Sequence, residues 1–508
     1  MVNTCEYGLC RASREPVRLH GGYHSVMAEG YSHFDVYGKF GLRESPFNVH
    51  ALLADERGQR LMVGRDTELH QVVRKLQIGT GIVCLDGHPG IGKTSLVNVA
   101  AKRCLDLYTG GQSPNLILPL HDSMQLSKTD TIDGFCASAL RKVAAALLRY
   151  RHSLGEGVPS REGNDVEAWL TSPVARIVSE TVSGSASAGF PGVVSLGATG
   201  SRTESPSMNT GTGYSQYGFE AQVKAWLTEI FGAGPNKGGV VCVIDNLEIL
   251  ETGAEATNFL DALRDRLLLQ PGLRWVFCGA SGVINGLAAS PRLRSFLSHP
   301  VIKVESISPS QIEPLVRARL REFSADPLDA EARLPIGVGD LKRLYTILNF
   351  NLRDLLQYAD QFCDHWAALG YPQATEEAKA HRFGKWLKKE SEDTYRAISG
   401  YVPEDAWNLL DTALSDQFQG TFGLGNYKQF NASTSVTVSE KKFKAFLNTL
   451  VKHGLLTRSV EDDREENDPL ERRTYRVTAK GAMIHYARIL SNARQSFASY
   501  DWLKTVVY

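Results

Sequence analysis

Short, fully apolar runs alternate with stretches of helical period over the first three fifths of the chain. "GIVCLDG" (81–87), "NLILPLH" (115–121), "GGVVCVIDN" (238–246) and "LRWVFCGAS" (273–281) read as strands. Between them, "LMVGRDTELHQVVRKL" (61–76) predicts a turn and a helix, and "IDGFCASALRKVAAALLRY" (132–150) a long helix. "EATNFLDALRDRLLL" (255–269) predicts a further helix. "KTSLVNVAAKRCLDL" (93–107) predicts one with an apolar face at Leu96, Val97, Val99, Ala100 and Cys104. Strands without polar alternation, interleaved with helices, predict an α/β fold: a parallel sheet covered on both faces.

From about residue 305 the pattern turns helical. "SPSQIEPLVRARLREF" (308–323) opens on Ser and Pro, which start helices, and "DLKRLYTILNFNLRDLLQYADQFCDHWAAL" (340–369) carries apolar residues at helical spacing. "SEKKFKAFLNTLVKHG" (439–454) leads into "GLLTRSV", a charged turn and "RRTYRVT": a helix followed by two joined strands, the order of a winged helix-turn-helix. The expected division is an N-terminal arm (1–45), a P-loop domain (46–304), a helical lid (305–375) and a winged-helix domain (376–508). A Ser/Gly/Thr-rich stretch at 183–216 interrupts the P-loop domain, either as a mobile insertion or as a small hairpin around Val193–Leu196.

Composition adds little. With 56 basic and 56 acidic residues the 508-residue chain has no net field to draw it to nucleic acid or membrane. No apolar run reaches the ~18 residues of a membrane span, and the N-terminus lacks a signal-peptide core. Cys84, Cys242 and Cys278 sit inside strand runs, as buried thiols of a reducing cytoplasm would. Cys5, Cys10, His20 and His24 read C-x4-C-x9-H-x3-H, too short between Cys and His for a usual zinc finger. A loose arm is the expectation there, with zinc as the alternative.

The chemistry concentrates at "GHPGIGKTS", Gly87, His88, Pro89, Gly90, Ile91, Gly92, Lys93, Thr94 and Ser95. It contains G-x-x-x-x-G-K-T, follows a strand and opens a helix, which is the context a phosphate-binding loop requires. Glycines let backbone N–H groups converge on phosphate oxygens, and the helix N-terminus adds its positive dipole end. Lys93 is expected to reach the β- and γ-phosphates, and Thr94 to offer its hydroxyl to Mg²⁺. The apolar run ending in Asp245 supplies the second metal anchor, from a strand expected beside that of the loop. Asn246 follows where a hydrolytic glutamate often stands. Glu248 is the candidate to poise water; its other reading is a helix cap. Without it as base, turnover is slow and the protein acts as a nucleotide-held switch.

With the loop, "VIDNLE", the lid and the winged helix together, the chain resembles the AAA+/STAND ATPases, nearest the origin-recognition and initiator branch, over about 46–490. That resemblance implies that "SPF" (45–47) and "MVGRDTEL" (62–69) pack on adenine, through Gly64 and Arg65. It implies a polar γ-phosphate sensor at Ser281, whose other reading is a helix N-cap, a trans-acting arginine finger at Arg292 or Arg294, whose other reading is a solvated helix end, and a lid sensor at Arg353 in "FNLRDLL". It also implies ATP and Mg²⁺ at interfaces of a homo-oligomer, with hydrolysis coupled to a partner, as in bacterial defence or mobile-element machines.

Whether the winged helix meets DNA or protein is divided. Lys441, Lys442 and Lys444 open the helix that would enter a groove. The turn between the strands instead carries Glu461, Asp462, Asp463, Glu465, Glu466, Asp468 and Glu471 against Arg464, and phosphates would repel it. The balance favours a partner effector protein, with a DNA-binding initiator, loader or regulator as the alternative.

Overall fold

The computed structural model describes residues 36–493 except 80, 121–122, 128–129, 155–173, 176–177, 180–202, 205–207, 210–215, 233–237, 248–252, 281–282, 285–286, 288–289, 327–333, 370–373, 434–436 and 461–472. Two helices, α1 (Glu56–Leu61) and α2 (Asp66–Ile78), precede the first strand, β1 (Ile82–Asp86). Then come α3 (Lys93–Thr109), β2 (Leu116–Pro119), β3 (Met124–Gln125), α4 (Ile132–Arg149), α5 (Gln216–Phe231) and β4 (Gly238–Asp245). The domain closes with α6 (Gly253–Leu263), β5 (Leu273–Gly279), α7 (Pro291–Arg294) and β6 (Leu297–Lys303).

The strands form one parallel sheet in the order β6-β1-β5-β4-β2, with β3 paired to the end of β4. Alternate residues face opposite sides, and both sides are apolar. Val83, Leu85, Val241, Val243 and Val276 meet α2 and α3 through Val72, Leu76, Leu96, Val97 and Cys104. Ile82, Cys84, Cys242, Ile244 and Phe277 meet α4 and α5 through Phe135, Leu140, Val143, Trp226 and Leu227. That two-sided burial is why the strands read as unbroken apolar runs.

Two features depart from expectation. The strand ending in Asp245 is not beside the phosphate-loop strand: β5 lies between them and pairs with both. And β6, which the apolar pattern did not announce, completes the far edge against β1. Its "LSHPVIK" is partly exposed and contains a proline, as edge strands tolerate.

Two two-residue antiparallel ladders, Val174–Ala175 with Met208–Asn209 and Val178–Ser179 with Thr203–Glu204, pair the chain before the Ser/Gly-rich insertion with residues inside it. The hairpin expected at Val193–Leu196 lies outside the described residues, as do Cys5, Cys10, His20 and His24 and the acidic turn from Glu461 to Glu471.

The helical half starts with α8 (Ile312–Phe323), α9 (Val338–Ile347), α10 (Leu352–Ala368) and α11 (Glu376–Ile398). It continues through α12 (Glu404–Ala413), β7 (Thr421–Gly423), α13 (Tyr427–Ser433) and α14 (Glu440–Lys452) to β8 (Leu456–Val460), β9 (Arg473–Val477) and α15 (Ala479–Ala493). β8 and β9 pair antiparallel as expected, and β7 adds a third strand on β9. The lid core, around Leu341, Leu344, Phe362 and Trp366, takes in Phe383 and Trp386 from α11 and Met483 and Tyr486 from α15. The other end of α11 sends Tyr395 and Ile398 to the C-terminal core around Trp407, Phe430, Phe443 and Leu447. Among the described residues no helix is long and apolar enough to cross a membrane, and the six described cysteines are buried and free.

Candidate functional site

β1 delivers the chain to Gly87, and α3 leaves from Lys93. The turn between them needs glycine for two reasons. Gly90 and Gly92 hold left-handed φ values of 81° and 98°. Gly87 lies so close to the backbone after β6 that a Cβ on it would stand 2.5 Å from the Val304 oxygen. Lys93 is only 6% exposed and donates to the carbonyls of Gly87 (2.7 Å) and His88 (3.1 Å). Arg65, equally buried, pairs with Glu68 (2.9 Å) and donates to the Ile91 carbonyl (3.1 Å), bracing the loop from behind. Gly64 next to it has φ 72° and abuts Gln311.

Across the sheet, Thr94 Oγ1 donates to Asp245 Oδ2 at 2.5 Å. The intervening strand therefore does not separate the two groups: the ends of β1 and β4 both open onto the same edge. Asp245 Oδ1 accepts the N–H of Asn246 at 3.0 Å, and Asn246 itself adopts φ 61°, a sparsely used region for a side-chain-bearing residue. A hydroxyl and a carboxylate in contact are hard oxygen donors of the kind Mg²⁺ takes when phosphates and waters fill its remaining positions. Among the described residues no cluster of three His, Cys, Asp or Glu forms a dedicated metal cage.

Residues of α8 and α10 line the same cleft as the phosphate loop. Asn351 accepts the N–H of Asp354 at 3.2 Å and so caps α10. A Cβ on Gly90 would lie 2.9 Å from Asn351 Oδ1 and 3.1 Å from Arg353 Cβ, so the start of α10 rests on the phosphate loop. One cleft thus brings together Arg65, the loop from Pro89 to Ser95, Asp245 and Arg353. The same cleft is lined by the apolar residues Val49, Met62, Val63, Ile307, Leu315 and Leu356, and by Arg319. From "SPF", Phe47 is buried in the lid core instead, and the residues just after it, Val49 to Leu52, line the cleft.

Burial lowers the His88 pKa to about 4, helped by the positive charges of Arg476 and Lys93. Arg476 comes from β9 in the C-terminal part, where burial lowers its own pKa. Its neighbour on the lid is Asn349. Arg476 Nη2 donates to the Asn349 carbonyl (3.5 Å), and Asn349 Nδ2 donates to the Val477 carbonyl (2.9 Å). The C-terminal strand is therefore fastened two residues from the asparagine that rests on the phosphate loop.

Other expected residues lie elsewhere. Arg292 is exposed on α7, where it approaches Asp261 at 3.4 Å, and Arg294 is exposed on the same short helix; neither lines the cleft of its own chain. Glu248 and Ser281 lie outside the described residues. Sequence reasoning passed over Arg319, Asn351 and Arg476, which reach the site from more than two hundred residues beyond the loop. Arg319 alone left a signal: it stands four residues after Leu315, on the helix face that buries Leu315, Val316, Leu320 and Phe323.

No protein-family model and no curated protein sequence matches the chain. Among solved structures it is similar to the ORC2 protein of Aeropyrum pernix, described with ADPNP and ADP (TM-score 0.40, 11% identity, covering 90% of this chain and 100% of that one). It is similar also to the ORC1 protein of Aeropyrum pernix in complex with DNA (0.37, 14%, 85% and 94%) and to CDC6P from Pyrobaculum aerophilum (0.34, 13%, 84% and 93%). At these scores the likeness carries no argument about activity, which has to stand on the cleft.

Proposed function

We propose that the chain is an ATP-binding switch of AAA+ type that hydrolyses its nucleotide and transmits nucleotide state to its C-terminal part. The observation that carries this reading is the single cleft joining the glycine loop with Lys93, the Thr94–Asp245 contact and Arg353. Phosphates would be held by the loop N–H groups, by Lys93 once it leaves its carbonyls, and by the lid cation Arg353. Thr94 and Asp245 would hold Mg²⁺, which supplies charge neutralisation of the phosphates. Glu248 is the proposed water-poising carboxylate, and Asn246 in the adjacent position accords with slow turnover.

Assembly belongs to this reading as a further step. Arg292 and Arg294 are exposed and outside their own cleft, which fits residues acting on a neighbour's nucleotide in a homo-oligomer. The Asn349–Val477 and Arg476–Asn349 contacts support a mechanical link from the phosphate loop to the C-terminal part, where a partner protein would read the state. The deciding experiment is calorimetry with ATP and Mg²⁺. Lys93→Ala should weaken binding by about 100-fold or more, because the phosphates lose a charged donor. Equal affinity of variant and parent refutes the site.

DNA is the second reading. Lys441 and Lys442 are exposed in the first turn of α14, where phosphate contacts would fall. A DNA reader loses affinity steeply as salt rises; a protein-binding module shows little DNA binding at any salt.

A further inference from the structure

Arg319 is out of place by ordinary rules. It sits on α8 and lines the cleft, 6% exposed. Nη1 donates to the carbonyls of Pro46 (2.9 Å) and Asn48 (3.2 Å). Nε is shut off from solvent without a hydrogen-bond partner, Nη2 makes no hydrogen bond and is not enclosed, and among the described residues no carboxylate pairs with the guanidinium. Burial lowers its pKa to about 10, which leaves it charged at neutral pH. A largely buried cation without a counter-charge is costly, and Nη2 is the donor that a bound ligand can still reach.

The carbonyls it holds belong to the segment that forms the cleft wall. The far end of that segment is tied to the phosphate-loop helix: Leu52 N–H donates to Ser95 Oγ (3.0 Å), and Asn98 Nδ2 donates to the Leu52 carbonyl (2.8 Å). The wall at 46–52 is thus strung between lid and loop helix, with Arg319 as its lid-side anchor. Met62, Val63, Leu315 and Leu356 line the same cleft with apolar side chains.

We propose that Arg319 is the base-reading residue of this cleft, its guanidinium donating to a ring nitrogen of a purine while it fixes the wall against which that base lies. The inference rests on the nucleotide reading above and narrows it. Adenine offers a bicyclic face to the apolar wall and three ring nitrogens outside the sugar bond, N1, N3 and N7, as acceptors. An enclosed donor left unpaired discriminates strongly against a ligand that cannot accept from it.

The test pairs deletions on both sides of the contact. Affinities of ATP, its 1-deaza, 3-deaza and 7-deaza analogues and inorganic tripolyphosphate, each with Mg²⁺, are measured by calorimetry for the parent, Arg319→Gln and Arg319→Lys. One deaza analogue should bind the parent about tenfold more weakly than ATP, and that deficit should vanish in Arg319→Gln. Arg319→Gln should weaken ATP by about tenfold or more, with tripolyphosphate changed by less than about twofold. Arg319→Lys, which keeps a charged donor, should lie between. A merely structural arginine would not couple to one ring nitrogen. Parent binding that ignores all three analogues overturns the proposal, and that measurement needs no variant to fold. Tripolyphosphate losing as much as ATP in Arg319→Gln overturns it too. A parent that binds neither ATP nor tripolyphosphate sinks the nucleotide reading itself.

Discussion

His88 lies in the glycine-rich loop, and burial, with the positive charges of Arg476 and Lys93, lowers its pKa to about 4. In the unfolded chain it would titrate near the ordinary value of about 6.5. Between those values the unfolded state binds more protons than the folded one, so stability rises with pH across that window. The contribution is complete above about 6.5 and is lost as pH falls towards about 4. His88→Asn should therefore lose less melting temperature than the parent between about pH 7 and pH 5. Equal losses in scanning calorimetry count against this placement of His88. At the same scale, Gly87, Gly90, Gly92, Lys93, Thr94 and Asp245 were all legible before the fold, because backbone freedom, charge and hydroxyl are properties of single residues. Arg319 was not, since only its neighbours reveal that a helix-face arginine is enclosed.

At the scale of elements, the apolar spacing of 340–369 runs on where the chain breaks. Asn349 and Phe350 take φ values of 52° and 59° and split it into α9 and α10. The turn frees Asn351 to cap α10 beside Gly90 and lets Asn349 hold the Val477 carbonyl. Asn349→Ala should cost about 1–3 kcal/mol, from strain and the lost bond together. Asn349→Gly relieves the strain and loses only the bond. Melting curves should rank parent, Gly and Ala in that order, and limited proteolysis should release the C-terminal part sooner in both variants. Unchanged cleavage would remove Asn349 from the link. The sheet shows the same limit: β1, β2, β4 and β5 were readable because burial on both faces makes them continuously apolar, whereas β6 was hidden by its exposed edge.

For the whole molecule the sharpest question is whether two copies share a site. Arg292 and Arg294 are not among the residues that line the cleft described above. If they serve a neighbour's, a double Arg292→Ala, Arg294→Ala variant mixed with Lys93→Ala protein should recover part of the ATP turnover that each lacks alone. Mixed interfaces then unite an intact loop with intact arginines. Turnover in the mixture no greater than the sum of the separate proteins rules the arrangement out.

What the sequence determined alone was local residue pattern and burial strong enough to leave a period: a glycine-rich turn with Lys93 and Thr94 between strand and helix, a parallel sheet, a helical half behind it. What only the tertiary structure decided was which distant groups meet. Thr94 touches Asp245 across an intervening strand, Asn351 rests on Gly90, and Arg319 fastens the wall at 46–52. Such meetings depend on strand order and helix docking, which arise from the packing of many side chains at once and leave no mark in any short stretch of chain.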